Sequence, residues 1–336
     1  MKKKLALIIG DKWISGKDIR NILSPIFRNK IKFFYYDWVH NNLHSLQSDN
    51  LKIEKGDLED IYLEKNFYKN IKKYNIIIVH FAPLKEEVFR NNINIEIVAS
   101  LRSGLENICN YAKKQKNIKI INNPGRNANA VAEFTIAMML NLNRQLYEFM
   151  YQTKKLNWPR KTSLKWGLDY KIGELKSTTI GLIGFGVIGR KVANILDAFG
   201  SDVLVYEPNK KKHVKKYKFT NLKDLLKRSD IISFHAKNDK EILDKTNFKF
   251  LKKNAYIINS SRAKLINEDL LIKYIKEKRI YGAAIDVFNR EPLPKNHSLK
   301  KLKNVLITPH IAGATDQMLI DCVHLLSKKL SRIIKK

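Results

Sequence analysis

One stretch constrains this chain more than any other. From Thr179 to Glu207, Ile180, Leu182 and Ile183 lead into Gly184-Phe185-Gly186-Val187-Ile188-Gly189, a helical pattern follows, and a second apolar run ends in Glu207. Glycines at that spacing have separate jobs. Gly184 lets the chain turn sharply off a strand, Gly186 lets backbone approach a pyrophosphate, and Gly189 lets helix and strand pack closely. Such glycine spacing is common by itself, so its context has to support it. Val192, Ile195, Leu196 and Phe199 recur at i, i+3, i+4 and i+7 as one apolar helix face, closed by Gly200. Asp202 to Tyr206 then reads as a buried strand, with Glu207 at its end, eighteen residues past Gly189. The whole is a βαβ unit that binds a dinucleotide with its phosphates on a helix N-terminus. A carboxylate at position 207 accepts from both ribose hydroxyls and repels a 2′-phosphate, which predicts NAD over NADP. Lys210, Lys211 and Lys212 stand close enough to soften that preference.

The chain's 336 residues exceed one ordinary domain and suit two, each with its own core. Two cysteines, Cys109 and Cys322, support neither a disulfide framework nor a metal cluster, so a reducing cytoplasm is expected and no metal. The opening Met1-Lys2-Lys3-Lys4 and Leu5 to Ile9 mimic a signal peptide, but Asp11 and Lys12 end the apolar run too soon. No segment approaches a membrane span, and no membrane partner is expected. The formal charge of +32 raises a nucleic-acid partner. The positive residues are mostly Lys, spread along the whole length beside abundant Asn and Ile, as an AT-rich genome produces. Non-specific attraction to nucleic acid stays open, no specific nucleic acid is expected, and an anionic substrate gains from the field.

Short apolar runs alternate with helical patterns throughout, which predicts α/β architecture with mainly parallel sheets. In the first third the runs are Leu5 to Ile9, Lys32 to Tyr36, Ile76 to Val79, Ile97 to Ala99 and Ile118 to Ile121, enough for a sheet of their own. A helix from Ala130 to Leu146 follows, carrying Val131, Phe134, Ala137, Met138 and Leu142, then a looser stretch with Trp158, Pro159, Trp166 and Gly167. The boundary is expected near residue 122, with that helix as a crossover. A final helix from Thr315 to Ile334 is long enough to reach back over the first domain.

Beyond the glycine-rich turn, successive strands end in polar residues: Glu207, His235, Arg262, Asp286 and His310. In an open parallel sheet the ligand lies outside the carboxyl ends of the strands, so these side chains converge on the cofactor. Reduction of a carbonyl by NADH needs a proton for the developing alkoxide, and the unperturbed pKa of a histidine such as His310 suits that task near neutrality. Glu291 as partner would hold the ring's tautomer and favour imidazolium. Arg262 offers a planar fork that grips a substrate carboxylate and polarises the neighbouring carbonyl. Singly, Arg262 can cap a sheet end, Glu291 can form a surface turn and His310 can be a satisfied loop histidine. Together, at the ends of three strands, they point to a 2-keto or 2-hydroxy acid. His235 is expected to line the cofactor pocket without doing chemistry, a core or edge role being the alternative. His80, His213, His297 and His324 are read as structural.

At these residues the chain resembles the D-isomer-specific 2-hydroxyacid dehydrogenases, a family that includes phosphoglycerate, glycerate and hydroxypyruvate reductase types. The likeness rests on Asn122 to Glu133, the Gly184 unit, Asn259-Ser260-Ser261-Arg262, Ala283 to Phe288 with Glu291-Pro292-Leu293-Pro294, and Thr308-Pro309-His310-Ile311-Ala312-Gly313. It implies an NAD-dependent oxidoreductase interconverting a small D-2-hydroxy acid and its 2-keto acid. Arg262 then binds the carboxylate or carbonyl, Glu291 and His310 form the acid/base pair, and Asp286 orients the nicotinamide carboxamide. The backbone of Ser103 and Gly104 holds the substrate carboxylate, and Gly184, Gly186, Val187, Ile188, Gly189, Glu207 and His235 complete the cofactor site. The implied fold is two Rossmann-like, doubly wound parallel-sheet domains with a cleft between them. Residues 1–122 plus 314–336 form a flavodoxin-like substrate domain, residues 123–313 form the NAD-binding domain, and the usual assembly is a homodimer. Ala263 replaces the glycine that usually follows the arginine, Lys237-Asn238 stand where His-x-Pro is usual, and Glu207 replaces the commoner Asp. Glu291 argues against the formate branch, and Ile311-Ala312-Gly313 against the D-lactate branch. Arg102 and Arg126 leave a phosphorylated or sugar-derived acid open. A second class also stays open, an NAD(H)-sensing binding protein like the family's corepressors, which can retain the same triad.

Overall fold

A computed structural model describes residues 3–61, 71–155, 173–209, 214–238 and 240–334. The expectations on Trp158, Pro159, Trp166, Gly167, Lys210 to Lys212 and His213 lie outside them. Contacts divide the chain into two compact units, Met1–Asn127 with Thr315–Lys336, and Ala128–Ala314. The division falls at 127/128, five residues past the expected boundary.

The first unit is built on β1 (Lys4–Gly10), β2 (Ile31–Asp37), β3 (Ile76–Val79), β4 (Ile97–Ser100) and β5 (Lys119–Ile121), in the order β2-β1-β3-β4-β5. Every pairing is parallel. Both faces are covered, so the strands read as unbroken apolar runs instead of alternating ones. On one face Leu7, Ile9, Ile77, Val79 and Val98 pack under helices α2 (Leu43–Lys55), α3 (Glu86–Arg90) and α4 (Asn110–Lys114) through Leu46, Ile53, Val88, Phe89 and Ala112. On the other face Ala6, Ile8, Ile76, Ile78 and Ala99 meet Ile19 and Leu23 of α1 (Gly16–Ile26). The C-terminal helix, Asp316–Ile334, joins that second face through Cys322, Val323, Leu326 and Leu330, a stripe at helical spacing. Asn123 fastens it by donating from Nδ2 to the Cys322 carbonyl at 2.7 Å.

The second unit opens with α5 (Ala128–Arg144) and α6 (Leu146–Lys155). Its sheet takes β6 (Thr179–Ile183), β7 (Asp202–Tyr206), β8 (Lys218–Phe219), β9 (Ile231–Phe234), β10 (Tyr256–Asn259), β11 (Gly282–Ile285) and β12 (Val305–Ile307). They run parallel in the order β12-β11-β10-β9-β6-β7-β8. Two parallel, doubly covered sheets bear out the predicted fold class. On one face, Ala132, Ile136, Met139 and Leu142 of α5 pack with Val192, Ala193 and Leu196 of α7 (Val187–Ala198) over Ile180 and Leu182. On the other, Leu225 and Leu226 of α8 (Leu222–Arg228) and Leu271 and Ile275 of α9 (Glu268–Lys276) cover Ile183, Leu204 and Ile257.

Two helix details differ from expectation. The expected single helix to Leu146 stops at Arg144, because Gln145 takes a left-handed φ of 53° while its side chain caps the Leu142 carbonyl at 2.7 Å. Of the residues expected on its apolar face, Val131 and Leu142 are buried, Phe134 and Met138 are partly buried and Ala137 is exposed, while Ala132, Ile136 and Met139 widen the buried stripe. In α7 the buried face is Gly189, Val192, Ala193 and Leu196; Phe199, past the last helical residue, is 40% exposed.

Candidate active site

The turn after β6 is built as its glycines require. Gly184 has φ +100°, a conformation L side chains rarely adopt, and a Cβ there would lie 2.6 Å from the Ala236 backbone nitrogen. At Gly189 a Cβ would lie 2.3 Å from the Gly184 carbonyl oxygen, so the first turn of α7 seats directly on the strand end. Gly186 is different: a Cβ would meet nothing within 4 Å, and as the helix N-cap it offers no side-chain capping bond. Open room in front of helix N–H groups that no side chain caps is what an anionic phosphate needs. These residues fit a dinucleotide.

Glu207, at the end of β7, is drawn to this turn. Its Oε2 accepts the Phe185 N–H at 2.9 Å and its Oε1 the Asn209 N–H at 3.0 Å. Phe185 is fully buried with Tyr217 and Phe219 against its ring. The packed ring thus fixes the amide that fixes the carboxylate. His235, after β9, adjoins the same turn and bonds the Ser233 hydroxyl through Nε2 at 3.0 Å. Burial pushes its pKa down to about 4, so at neutral pH the ring is uncharged.

Strand order sets the remaining residues side by side along one edge. Reading from β7 through β6, β9, β10 and β11 to β12, the carboxyl ends carry Glu207, Gly184, His235, Arg262, Asp286 and His310. Strands lie about 4.8 Å apart, which sets the strand ends before Arg262 and His310 roughly 10 Å from one another. Arg262 is exposed, and its loop is held from beneath. Asn259 Nδ2 donates to the Arg262 carbonyl at 2.8 Å, Asn259 Oδ1 accepts the Ser261 N–H, and Ser261 Oγ donates to the Phe234 carbonyl at 2.6 Å.

His310 and Glu291 meet: Nδ1 lies 2.9 Å from Oε2, while Glu291 Oε1 accepts the Phe288 N–H at 2.9 Å. The imidazole side chain is about half exposed, with the partner carboxylate on its Nδ1 side. His310 also has a positive φ of 56°, a costly conformation for a non-glycine residue that persists only where the surroundings over-determine it. Asp286 supplies that determination. Its Oδ1 accepts the Thr308 hydroxyl at 2.7 Å and the Ile311 N–H at 2.9 Å, and its Oδ2 the Ala312 N–H at 2.9 Å. Asp286 is 1% exposed, with both oxygens engaged by the His310 loop. The cofactor role implied for it therefore shares the carboxylate with a positioning role that the sequence did not reveal. Thr308 was quoted within the Thr308–Gly313 motif, but its bond to Asp286 was not foreseen. In the first unit, Ser103 and Gly104 follow β4, with Ser103 Oγ donating to the Asn123 carbonyl at 2.9 Å. His297 has the structural place expected of it, bonding Glu268 at 3.1 Å and capping the Ser298–Lys301 turn.

The family model for the "D-isomer specific 2-hydroxyacid dehydrogenase, NAD binding domain" matches residues 136–312, from α5 through the His310 loop. The chain belongs to the D-isomer-specific 2-hydroxyacid dehydrogenases. It is 34% identical over 250 residues to a glyoxylate reductase of Thermofilum pendens, covering 72% of this chain and 73% of the relative. It is 32% identical over 279 residues to a hydroxypyruvate reductase of Thermotoga maritima, covering 80% and 89%. The fold matches the NAD-complexed D-isomer-specific 2-hydroxyacid dehydrogenase of Lactobacillus delbrueckii ssp. bulgaricus with a TM-score of 0.75 at 22% identity, over 99% of this chain and 97% of that one. As a member of this family, the protein is an NAD-dependent oxidoreductase of 2-hydroxy acids, and the glycine-rich turn has the open, uncapped helix N-terminus that its cofactor's pyrophosphate needs.

Proposed function

We propose that this dehydrogenase reduces a small 2-keto acid to the D-2-hydroxy acid, with His310 as proton donor, Glu291 as its partner and Arg262 as the carboxylate clamp. The observation that carries this reading is the 2.9 Å His310–Glu291 contact on the strand edge shared with the dinucleotide turn. The bound nicotinamide supplies the hydride. Glu291 holds the proton on Nδ1, which leaves Nε2 to deliver a second proton to the developing alkoxide, and in oxidation to remove one from the hydroxyl. Arg262 grips the carboxylate bidentately and draws charge from the adjacent carbonyl oxygen. In the first unit we assign substrate-carboxylate binding to the Ser103 and Gly104 amides, and with it the role of substrate domain. Val187 and Ile188 line the cofactor's pyrophosphate beside Gly186, and Glu207 selects NAD over NADP.

Relatives named for glyoxylate and hydroxypyruvate reduction support a small, unbranched substrate and favour turnover over the NAD(H)-sensing alternative. Among the described residues no helix is long and apolar enough to cross a membrane. The cytoplasmic setting we assign rests on the two free cysteines. A homodimer suits α6, none of whose residues is buried and which exposes Leu146, Tyr147, Met150 and Tyr151. The test is loss of NADH absorbance with glyoxylate, hydroxypyruvate and larger 2-keto acids, run beside NADPH. NADH-specific turnover of one of them is expected; tight NADH binding with no turnover of any would contradict the reading.

A further inference from the structure

The carboxyl ends of the first unit's strands hold a charged cluster that the reaction above does not use. Chain order reverses between β1 and β3, and in an open parallel sheet that switch point is where ligands bind. Asp11 follows β1 and His80 follows β3, the two being 4% and 0% exposed. His80 Nδ1 lies 2.9 Å from Asp11 Oδ2, and the Trp13, Ile14 and Phe81 N–H groups also donate to this carboxylate. Asp11 so surrounded stays ionised, while burial pushes the His80 imidazole down against the pull of Asp11 and keeps it neutral. With its proton on Nδ1, His80 turns a lone pair on Nε2 outward, and Arg126 Nη1 donates to it at 2.9 Å. The buried pair thereby aims one guanidinium, whose other close partner is the Cys322 thiol.

A second guanidinium arrives beside the first. Arg102 and Arg126 both lie over the Phe81 ring, 4.7 and 5.8 Å from its centroid. Arg102 is 5% exposed; its Nη2 meets Glu54 at 3.2 Å and Glu106 at 3.9 Å, and its Nη1 is buried with no hydrogen-bond partner among the described residues. Glu54 and Glu106 are themselves nearly half exposed and turn to solvent at little cost when another anion takes their place. The loops are bonded into one piece. The Asn123 N–H donates to the Arg102 carbonyl at 2.7 Å, the Arg126 N–H to the Asn123 carbonyl at 3.2 Å, and Asn122 Nδ2 to the Ser103 carbonyl at 2.6 Å.

We infer that Arg102 and Arg126 recognise a second anionic group on the substrate, a phosphate or carboxylate carried beyond the 2-keto acid's own carboxylate. The inference rests on the proposed function, in which Ser103 and Gly104 hold the first carboxylate; Arg102 is the adjoining residue of the same loop. Asp11 and His80 are then positioning residues for Arg126, a role that the structural reading of His80 did not foresee.

The test compares kcat/KM for hydroxypyruvate, its 3-phosphate and oxaloacetate in the wild type, Arg102→Gln, Arg126→Gln and Arg126→Lys. The wild type is expected to prefer one doubly anionic acid over hydroxypyruvate by about 100-fold, the worth of one or two charge-assisted bonds. Preference for the phosphate or for the dicarboxylate names the group. Each Gln variant should cut the ratio at least about tenfold, and Arg126→Lys should restore part of it. A wild-type ratio near one, or a ratio unchanged in both Gln variants, overturns the inference. Should no keto acid be turned over, the proposed function fails by itself. Calorimetry with inorganic phosphate, NADH saturating the Gly184 turn, then decides the anion site: binding lost in Arg126→Gln supports it, and no binding to the wild type overturns it. If Arg126→Gln loses its cooperative melt, Arg102→Gln and Arg126→Lys carry the same comparison.

Discussion

Two glycines five and two residues into the same turn should fail in opposite ways when replaced by alanine. At Gly189 the new Cβ would sit 2.3 Å from the Gly184 carbonyl oxygen, about 1 Å inside ordinary contact, and the obstacle is backbone that cannot rotate away. The helix must lift off the strand, an overpacking cost of about 1–3 kcal/mol that alanine's better helix propensity offsets by at most about 1. For a unit the size of Ala128–Ala314 a net loss near 1–2 kcal/mol lowers Tm by roughly 2–8 °C. The N–H groups move with the helix, so NADH affinity falls too. At Gly186 the same methyl meets nothing within 4 Å and φ is −75°, so Tm should change by no more than about 2 °C. NADH affinity should nevertheless drop at least about tenfold, because the methyl fills the room the pyrophosphate needs. Thermal melts and NADH fluorescence titrations of both variants read this directly. Unaltered NADH binding by Gly186→Ala, or a Gly189→Ala protein as stable as the wild type, would refute the reasoning.

Other expectations follow from the same geometry. Asp286→Asn removes an acceptor from a buried carboxylate holding three donors, and should cost about 2–4 kcal/mol in a denaturant melt while lowering kcat more than NADH affinity; an unchanged kcat in a folded variant would sever Asp286 from His310. Folded His235 titrates near 4 against 6.5 unfolded, so its neutral form favours the fold: that stability is complete above pH 6.5 and is lost as pH falls toward 4. The loss is at most about 3 kcal/mol, reduced by the ring's partial exposure, and His80, shifted the same way, adds to it. Melts at pH 7.5, 6 and 5 should show a falling Tm, and His235→Asn should flatten the slope; a flat wild-type profile would contradict the assignment. Glu207→Ala should release the Phe185 amide and narrow the preference for NADH over NADPH, measured as the ratio of the two kcat/KM values, whereas an unchanged ratio would remove Glu207 from cofactor choice.

What could be read from the sequence was whatever depends on neighbours along the chain. Ile76 to Val79 and Ile231 to Phe234 are buried on both faces, so they stand out as unbroken apolar runs that only a covered parallel sheet accommodates. The glycine turn was legible because each glycine answers a local steric demand. Helix faces were less so: α5 is apolar nearly all round, and Gln145 ends it through a backbone conformation that no propensity announces. Clusters made by topology were the least visible. Asp11, His80 and Arg126 are separated by 69 and 46 residues, and only the parallel order of β1 and β3 sets the first two side by side. Asp286 was noticed for its place at a strand end, but its bonds to Thr308, Ile311 and Ala312 come from a loop more than twenty residues away.

The central claim is that His310 moves the proton while the rest of the unit holds the cofactor. It is tested most directly by His310→Ala, assayed with the best 2-keto acid and titrated with NADH in parallel. The account predicts a fall in kcat of about 10²- to 10⁴-fold with NADH affinity within about threefold of wild type. Turnover that survives the loss of His310 at near wild-type rate would contradict it.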